Sequence, residues 1–228
     1  MIGLIGAMQV EMEHLLLALE EHKEHKIGVM TLHTGQLYGH EAVLAICGPG
    51  KVNAALCAQA MILNFKPRWV MNLGVAGAIS RELTIGDLVV GTCAVQHDMD
   101  TSPIGDPLGL ISGINRVKLL CAPWLRNEII AAAQSLELRI MEGVIATGDQ
   151  FIASPEKKEW IARHFDAVCA EMEGGAVAHT CLMHGVDCAV IRSISDQADG
   201  GATMDYPKFV ELAAAHSAKL VKALLKNI

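Results

Sequence analysis

Residues 169–199, CAEMEGGAVAHTCLMHGVDCAVIRSISDQAD, hold two short apolar runs, each of which ends in carboxylates. The first, Ala167 to Ala170, gives way at Glu171-Met172-Glu173 to a helical pattern of small residues. The second, Cys188 to Ile194, delivers Arg192, Ser195 and Asp196. A strand, a helix and a second strand with acids at the strand ends predict an α/β architecture, in which ligands bind outside the carboxyl ends of the strands. The carboxylates and the guanidinium are therefore expected at one sheet edge. Each acid also has an ordinary structural role open to it: a first-turn glutamate complements the helix dipole, and an aspartate after a strand caps a turn or the next helix. Arg192 is harder to explain that way. Inside an apolar run its guanidinium must find anionic or carbonyl partners or forgo a large solvation energy.

Working outward, β-rich runs alternate with helical periodicity along the whole chain, as a sheet flanked by helices requires. Strands are predicted near 2–6, 28–34, 41–47, 68–73, 87–94, 141–147, 167–170 and 187–194. Helices are predicted over 9–21, 51–64, 124–136, 155–164, 173–184 and 207–226. EEHKEHK at 20–26 reads as a solvated helix end and turn, and TSPIGDPLGLISGINR at 101–116 as one long irregular loop of the kind that serves as a lid or interface. With 228 residues, 52% of them hydrophobic and 19% charged, the chain can bury a sizeable core, and no linker divides it. One α/β domain over 1–228 is expected.

Charge and composition exclude several function classes. A formal net charge of −7 with scattered Lys and Arg argues against binding a phosphate backbone, and 4% aromatic content leaves few stacking platforms for single strands. Seven cysteines, odd in number and without a CxxC pair, read as reduced core residues. With no signal-peptide pattern at Met1 and no apolar run long enough to span a bilayer, a soluble cytoplasmic protein is expected, with no membrane or nucleic-acid partner. CGPGK at 47–51 lacks the Walker A glycine before it and the Ser or Thr after Lys51. His97, Asp98 and Asp100 in QHDMD have no accompanying ligand set, so no metal and no cofactor is expected. In GVAGA, Gly74 and Gly77 permit close backbone approach, to a ligand or to a packed helix.

The stretches AEMEGGAVAH and VIRSISDQAD, together with GAMQVEM at 6–12, NLGVAGA at 72–78 and TGDQFI at 147–152, resemble the methylthioadenosine/S-adenosylhomocysteine nucleosidases of the nucleoside phosphorylase superfamily. The resemblance runs nearly from Met1 to the C-terminal helix, with the motifs in matching order. It implies a three-layer α/β/α fold with a twisted, mixed, mostly parallel central sheet. It also implies a homodimer and hydrolysis of an N-glycosidic bond with release of adenine. That chemistry makes the ribosyl carbon cationic and puts electron density on the base, so a proton donor and an activated water are needed.

By the same resemblance, Asp196 donates to adenine N7, Glu11 activates water, and Glu173 accepts hydrogen bonds from the ribose hydroxyls. Donation asks for a desolvated site around Asp196. Arg192 and Ser195 are implied to support water, carboxylates or base. Phe151 and Ile152 read the adenine edge, Met172 lies beneath the ribose, and Gly77 lines the glycine-rich turn. Pro49 and Tyr206 form an apolar mouth for the 5′ substituent, with loop 101–110 arriving from a partner subunit. Val75, where many relatives carry serine, and Pro49, where they carry an aliphatic residue, depart from the pattern. An acid in the early loop, where related phosphorylases place arginine, would repel phosphate and suit water activation. Other readings consistent with the residues are a phosphorolytic enzyme, a hydrolase of the futalosine type and a noncatalytic purine sensor.

Overall fold

The structure is a computed structural model that describes residues 1–198 and 206–228, the side chains of 206–208 excepted. Strands β1 (Ile2–Gly6), β2 (Leu19–Ile27), β3 (Met30–Leu37), β4 (His40–Ile46), β5 (Trp69–Ala78), β6 (Leu88–Gln96), β7 (Leu119–Leu120), β8 (Ile140–Thr147), β9 (Ala167–Glu171) and β10 (Asp187–Asp196) form one sheet. Around it pack α1 (Gln9–Leu17), α2 (Lys51–Phe65), α3 (Pro123–Ser135), α4 (Pro155–Phe165), α5 (Gly174–His184) and α6 (Tyr206–Leu225). Among the described residues no helix is long and apolar enough to cross a membrane.

The strand order is β10-β6-β8-β9-β5-β1-β4-β3-β2, with β7 beside β6 and a further pairing of β10 with β5 that closes β5, β10, β6, β8 and β9 into a ring. The sheet is mixed, as expected, and most of its paired residues lie in parallel ladders, the longest being β5 with β10 and β6 with β8. Parallel pairing holds within β4-β1-β5-β10 and within β6-β8-β9, whereas β2-β3-β4, β5-β9, β6-β10 and β6-β7 pair antiparallel. Tight hairpins account for part of this. Tyr38 and Gly39, both at positive φ, make a two-residue turn between β3 and β4, and such a turn can join only antiparallel strands.

Two apolar layers cover the sheet. Buried Ala54, Cys57, Ala58 and Met61 of α2 join Val177 and Cys181 of α5 in one cluster, while Met12 and Leu15 of α1, Leu125 and Ile129 of α3, and Leu220 and Leu224 of α6 build another. Ile161 and Phe165 of α4 sit in a smaller cluster with Ala146 and Ala167. Pro155 in the first turn of α4 and Ser154, whose Oγ accepts the Lys157 N–H at 3.3 Å, fix that helix start. All seven cysteines are free.

The clearest departure from the sequence reading is EEHKEHK, which forms most of the edge strand β2 rather than a helix end. An exposed edge strand has no buried face to impose apolar alternation, and its charges keep other strands from adding to it. Where Glu20 and Lys23 pair with Gln36 and Thr34 the register shifts, and Glu21 takes a φ of 52° opposite Gly35. A Cβ on Gly35 would stand 2.3 Å from the Glu20 carbonyl and 2.9 Å from Leu19 Cγ. Gly35→Ala should therefore cost about 1–3 kcal/mol, at about 2–4 °C of Tm per kcal/mol for a chain of this size. An unchanged thermal melt would show that the bulge has room the geometry does not give it.

Candidate active site

Strands β5 and β9 overlap only at their carboxyl ends, Gly77 opposite Ala170 and Ala78 opposite Cys169. Because they run antiparallel, the two parallel groups of strands point at each other there, and β1 and β10 end beside them. A cavity of about 210 Å³ opens at this junction. Glu11, Gly77, Met172, Glu173, Ser195 and Asp196 line it, joined by Pro49, Phe151 and Ile152. Nine of the sequence-predicted residues thus meet in one place.

Glu11 lies in the first turn of α1 and is 4% exposed. Its Oε2 accepts the N–H groups of Ala7 at 2.8 Å and Met8 at 2.9 Å, and its Oε1 accepts Val75 N–H at 3.0 Å. The helix-capping role and the place in the cavity are therefore held by one residue. Three protein donors leave about one of a carboxylate's four lone-pair sites for another partner. Burial pushes its carboxyl above the usual range, against the opposing pull of Arg192 and the three backbone N–H groups.

The acidic pair divides its work. Glu171 Oε2 accepts the N–H groups of Glu173 at 2.9 Å and Gly174 at 2.6 Å at the start of α5, while its Oε1 takes the Thr147 hydroxyl. It is also the partner of Arg192, which reaches it through Nε at 3.1 Å and through Nη2. Burial alone would raise Glu171, but the charge and hydrogen bonds of Arg192 outweigh it and hold the carboxyl below its usual range. Glu173 is less tied: Oε1 accepts Gly50 N–H at 2.9 Å, and Oε2 stands 3.9 Å from Arg192 Nη2. Burial first, and the charge of Glu171 next, push it up to about 7.

Arg192, counted among the substrate-binding residues and implied to support water, carboxylates or base, does not itself line the cavity; it meets the carboxylates of Glu171 and Glu173. It is fully buried behind the cavity, spending further donors on the Asn72 side chain and, at 3.0 Å, on the Ile191 carbonyl. Four of the five guanidinium N–H donors are thus taken at the back of the site, by Glu171, Asn72 and the Ile191 carbonyl. Tyr206 opens α6, and its side chain lies outside the described residues. Among the described residues no member of loop 101–116 lines the cavity; that loop holds a 3-10 turn at Ser102–Ile104 and a bridge between Ile111 and Arg116.

Asp196 is reached through a bulge, since the register of β10 against β5 slips between Ile194 and Asp196. Bulges re-aim side chains and recur beside active sites. Asp196 Oδ1 accepts Ala198 N–H at 2.8 Å, and Oδ2 accepts the Ser195 hydroxyl at 2.9 Å. Ser195 Oγ also lies 3.4 Å from the Ala76 carbonyl. The glycines make room for acids: a Cβ on Gly77 would stand 2.9 Å from Asp196 Oδ1, and one on Gly74 would stand 2.8 Å from Glu11 Oε1. Gly74 is thus approached by Glu11 and Arg192 rather than by a ligand. Met172 is half-buried, Ile152 buried, and Phe151 and Pro49 exposed at the rim. The sequence reading left Glu171, Thr147 and Asn72 without roles; for Glu171 the signal was present, as one half of the acidic pair, whereas Thr147 and Asn72 stood only as the first residues of TGDQFI and NLGVAGA.

The family described as the Phosphorylase superfamily matches residues 1–226. The chain belongs to the phosphorylase superfamily. Among its members, the aminodeoxyfutalosine nucleosidase of Helicobacter pylori is 38% identical over 228 residues, covering 100% of this chain and 99% of the relative. The 5′-methylthioadenosine/S-adenosylhomocysteine nucleosidase of Geobacillus thermodenitrificans is 37% identical over 98% of this chain and 95% of its own length. The crystal structure of such a nucleosidase from Neisseria meningitidis, in complex with methylthio-immucillin-A, superposes with a TM-score of 0.95 at 34% identity, covering 100% of this chain and 99% of that one.

For this member of the superfamily, the buried cation is the site's main structural liability. Arg192→Met leaves Glu171 and Glu173 without their cation, and breaking a buried pair from one side costs about 3–5 kcal/mol. Arg192→Lys should recover only part of that loss, because an ammonium cannot reproduce the planar fork. Denaturant melts of the three proteins check this. Equal midpoints for parent and Arg192→Met would mean that Glu171 finds other compensation.

Proposed function

We propose that the protein is a nucleosidase that hydrolyses the N-glycosidic bond of 5′-methylthioadenosine and S-adenosylhomocysteine, releasing adenine and the 5′-thio-substituted ribose. The observation that carries the reading is that two buried carboxylates from distant parts of the chain, Glu11 and Asp196, line one cavity together with Glu173. Asp196 acts as the acid at adenine N7, Glu11 as the base that activates water, and Glu173 as acceptor for the ribose hydroxyls. An acid and a base on one cavity match bond cleavage through a cationic ribosyl centre. A binding protein would need neither.

Ser195 suits the proton's passage. With Asp196 ionised, its hydroxyl donates to Oδ2. With Asp196 protonated there, the hydroxyl oxygen accepts and its hydrogen turns to the Ala76 carbonyl, 3.4 Å away. Glu11 favours water over phosphate as acceptor, because an anion repels phosphate and its elevated carboxyl can take a proton. Phe151 and Ile152 hold the adenine, Met172 lies under the ribose, and Gly77 leaves room beside Asp196. The thioether occupies the mouth at Pro49 and Tyr206. No metal or cofactor enters the reaction.

A second reading has a specific basis: the Helicobacter pylori relative at 38% identity is named for aminodeoxyfutalosine. In that reading this chain keeps the same acid, base and ribose contacts, and only what its 5′ mouth receives differs. We further infer that residues 1–228 act as one cytoplasmic domain and form a homodimer in which loop 101–116 completes the neighbour's mouth. Exposed Val52, Leu56 and Leu63 on α2, Leu182 and Met183 on α5 and Ile104 in the loop support the dimer. Sedimentation should give a dimer, and a monomer with full activity would remove the shared mouth.

Incubation in phosphate-free buffer with methylthioadenosine, S-adenosylhomocysteine and aminodeoxyfutalosine, following adenine and the free sugar, separates the readings. Release of free 5-methylthioribose is expected; no turnover until phosphate is added, with a phosphorylated sugar then formed, would overturn hydrolysis. Glu11→Gln should lower turnover while sparing the binding of a nonhydrolysable analogue. Asp196→Asn cannot deliver a proton, so single-turnover adenine release should fall by ~10² to 10⁴ in a protein that still melts normally. A folded Asp196→Asn variant with near-normal chemistry would leave Asp196 as a turn cap only.

A further inference from the structure

CGPGK at 47–51 and QHDMD at 96–100 fit no phosphate loop and no metal site, yet the fold brings them together. The Lys51 amine donates to Asp98 Oδ1 at 2.7 Å, and the Lys51 N–H donates to Asp149 Oδ1 at 2.7 Å. The Asp149 N–H donates to Asp98 Oδ2 at 2.9 Å, closing a three-membered ring. Gln96 Oε1 lies 3.4 Å from the same amine. Gly50, at a φ of 97°, leaves room for the ring, because a Cβ there would stand 3.1 Å from Asp149 Oδ1.

We propose that Lys51, Asp98 and Asp149 form a positioning clamp that holds the two turns flanking the cavity at a fixed separation and so sets how tightly the nucleoside binds. One turn carries Pro49 and Gly50, whose N–H meets Glu173 at 2.9 Å. The other carries Gln150, Phe151 and Ile152 directly after Asp149. The clamp rests on the nucleosidase reading for the identity of what it grips. An exposed ion pair joins two mobile side chains and contributes little. This ring differs in two respects. Lys51 and Asp98 have side chains only 19% and 18% exposed, and although Asp149 is exposed, two of the three bonds start from main-chain N–H groups, which ties the backbone of both turns into the ring. Its hydrogen bonds are charge-assisted, the stronger kind.

None of the three residues touches Glu11 or Asp196, so the clamp acts on binding rather than on bond cleavage. Lys51→Met and Asp98→Asn should each lower kcat/KM by up to ~10², with the loss in KM and kcat held within about threefold. The double variant should be no worse than the worse single, since either change opens the ring. Lys51→Arg, which keeps a cation on Asp98, should recover most of the loss. Asp98→Asn keeps the side-chain shape and serves as the folded probe if Lys51→Met loses its fold in a thermal melt. KM values within about twofold of the parent in the folded single variants, losses that multiply in the double, or a loss in kcat alone would each overturn the clamp. Adenine affinity by calorimetry on the same proteins reads the base-side turn without turnover. Weakened adenine binding in the variants supports the clamp even where the parent hydrolyses no nucleoside tested, an outcome that would count against the nucleosidase reading alone.

Discussion

A guanidinium without access to solvent needs a counter-charge, and satisfying Arg192 organises most of what surrounds the cavity. Its partner Glu171 ends β9, while Arg192 itself lies within β10, and Asn72 on β5 takes a further N–H. Three strands are thereby pinned at one depth. Glu171 in turn receives the first N–H groups of α5 and the Thr147 hydroxyl, whose oxygen accepts Gly175 N–H at 2.7 Å. Although burial works against its charge, Arg192 stays protonated because Glu171 and Glu173 face it. The pair is more a device of position than of stability, since an apolar core of the same volume would hold the strands as well.

The consequence is a division between neighbouring acids. Glu171 spends its lone pairs on the fold and is held as a carboxylate, and it thereby adds a negative charge beside Glu173. Glu173 keeps acceptor capacity toward the cavity, and its elevated carboxyl reflects that neighbour together with its own burial. Small residues make such density feasible. A side chain on Gly74 would strike Glu11, one on Gly77 would strike Asp196, and one on Gly175 would come within 2.8 Å of Thr147 Oγ1. In this chain Gly74, Gly77 and Gly175 leave room for carboxylates and a hydroxyl, and Gly174 for Val190.

Legibility in the sequence followed the strength of local pattern. Strands and helices with a buried face were readable to within a few residues, because burial on one side imposes a period. The edge strand β2 was not, because exposure on both faces removes that period and leaves charges resembling a helix end. The closure of the sheet was not legible for a related reason: the carboxyl-end overlap of β5 and β9 is a long-range pairing with no local signal. At the site, the acids stood out because carboxylates at strand ends are rare in apolar surroundings. The direction in which Arg192 points was not legible. A strand's alternation assigns a face, but which face lies toward the cavity depends on the bulge after Ile194 and on the ring of strands around it.

Depth within the cavity separates what chemistry fixes from what it leaves free. Glu11, Glu173, Ser195 and Asp196 are nearly sealed from solvent, each held by hydrogen bonds to backbone or to a neighbouring side chain. Substituting there disturbs several partners at once. Pro49 and Phe151 at the rim are exposed, and a change at the rim alters apolar contact without stranding a buried charge. In the nucleosidase reading the rim meets the 5′ substituent, where one apolar group is worth only about 1–3 kcal/mol of discrimination. In the same reading, a buried acid and base can serve more than one nucleoside as long as the mouth admits the 5′ group. That reading leaves the choice of 5′ group to the rim residues and to the turns that the Lys51 ring holds, rather than to Glu11 or Asp196.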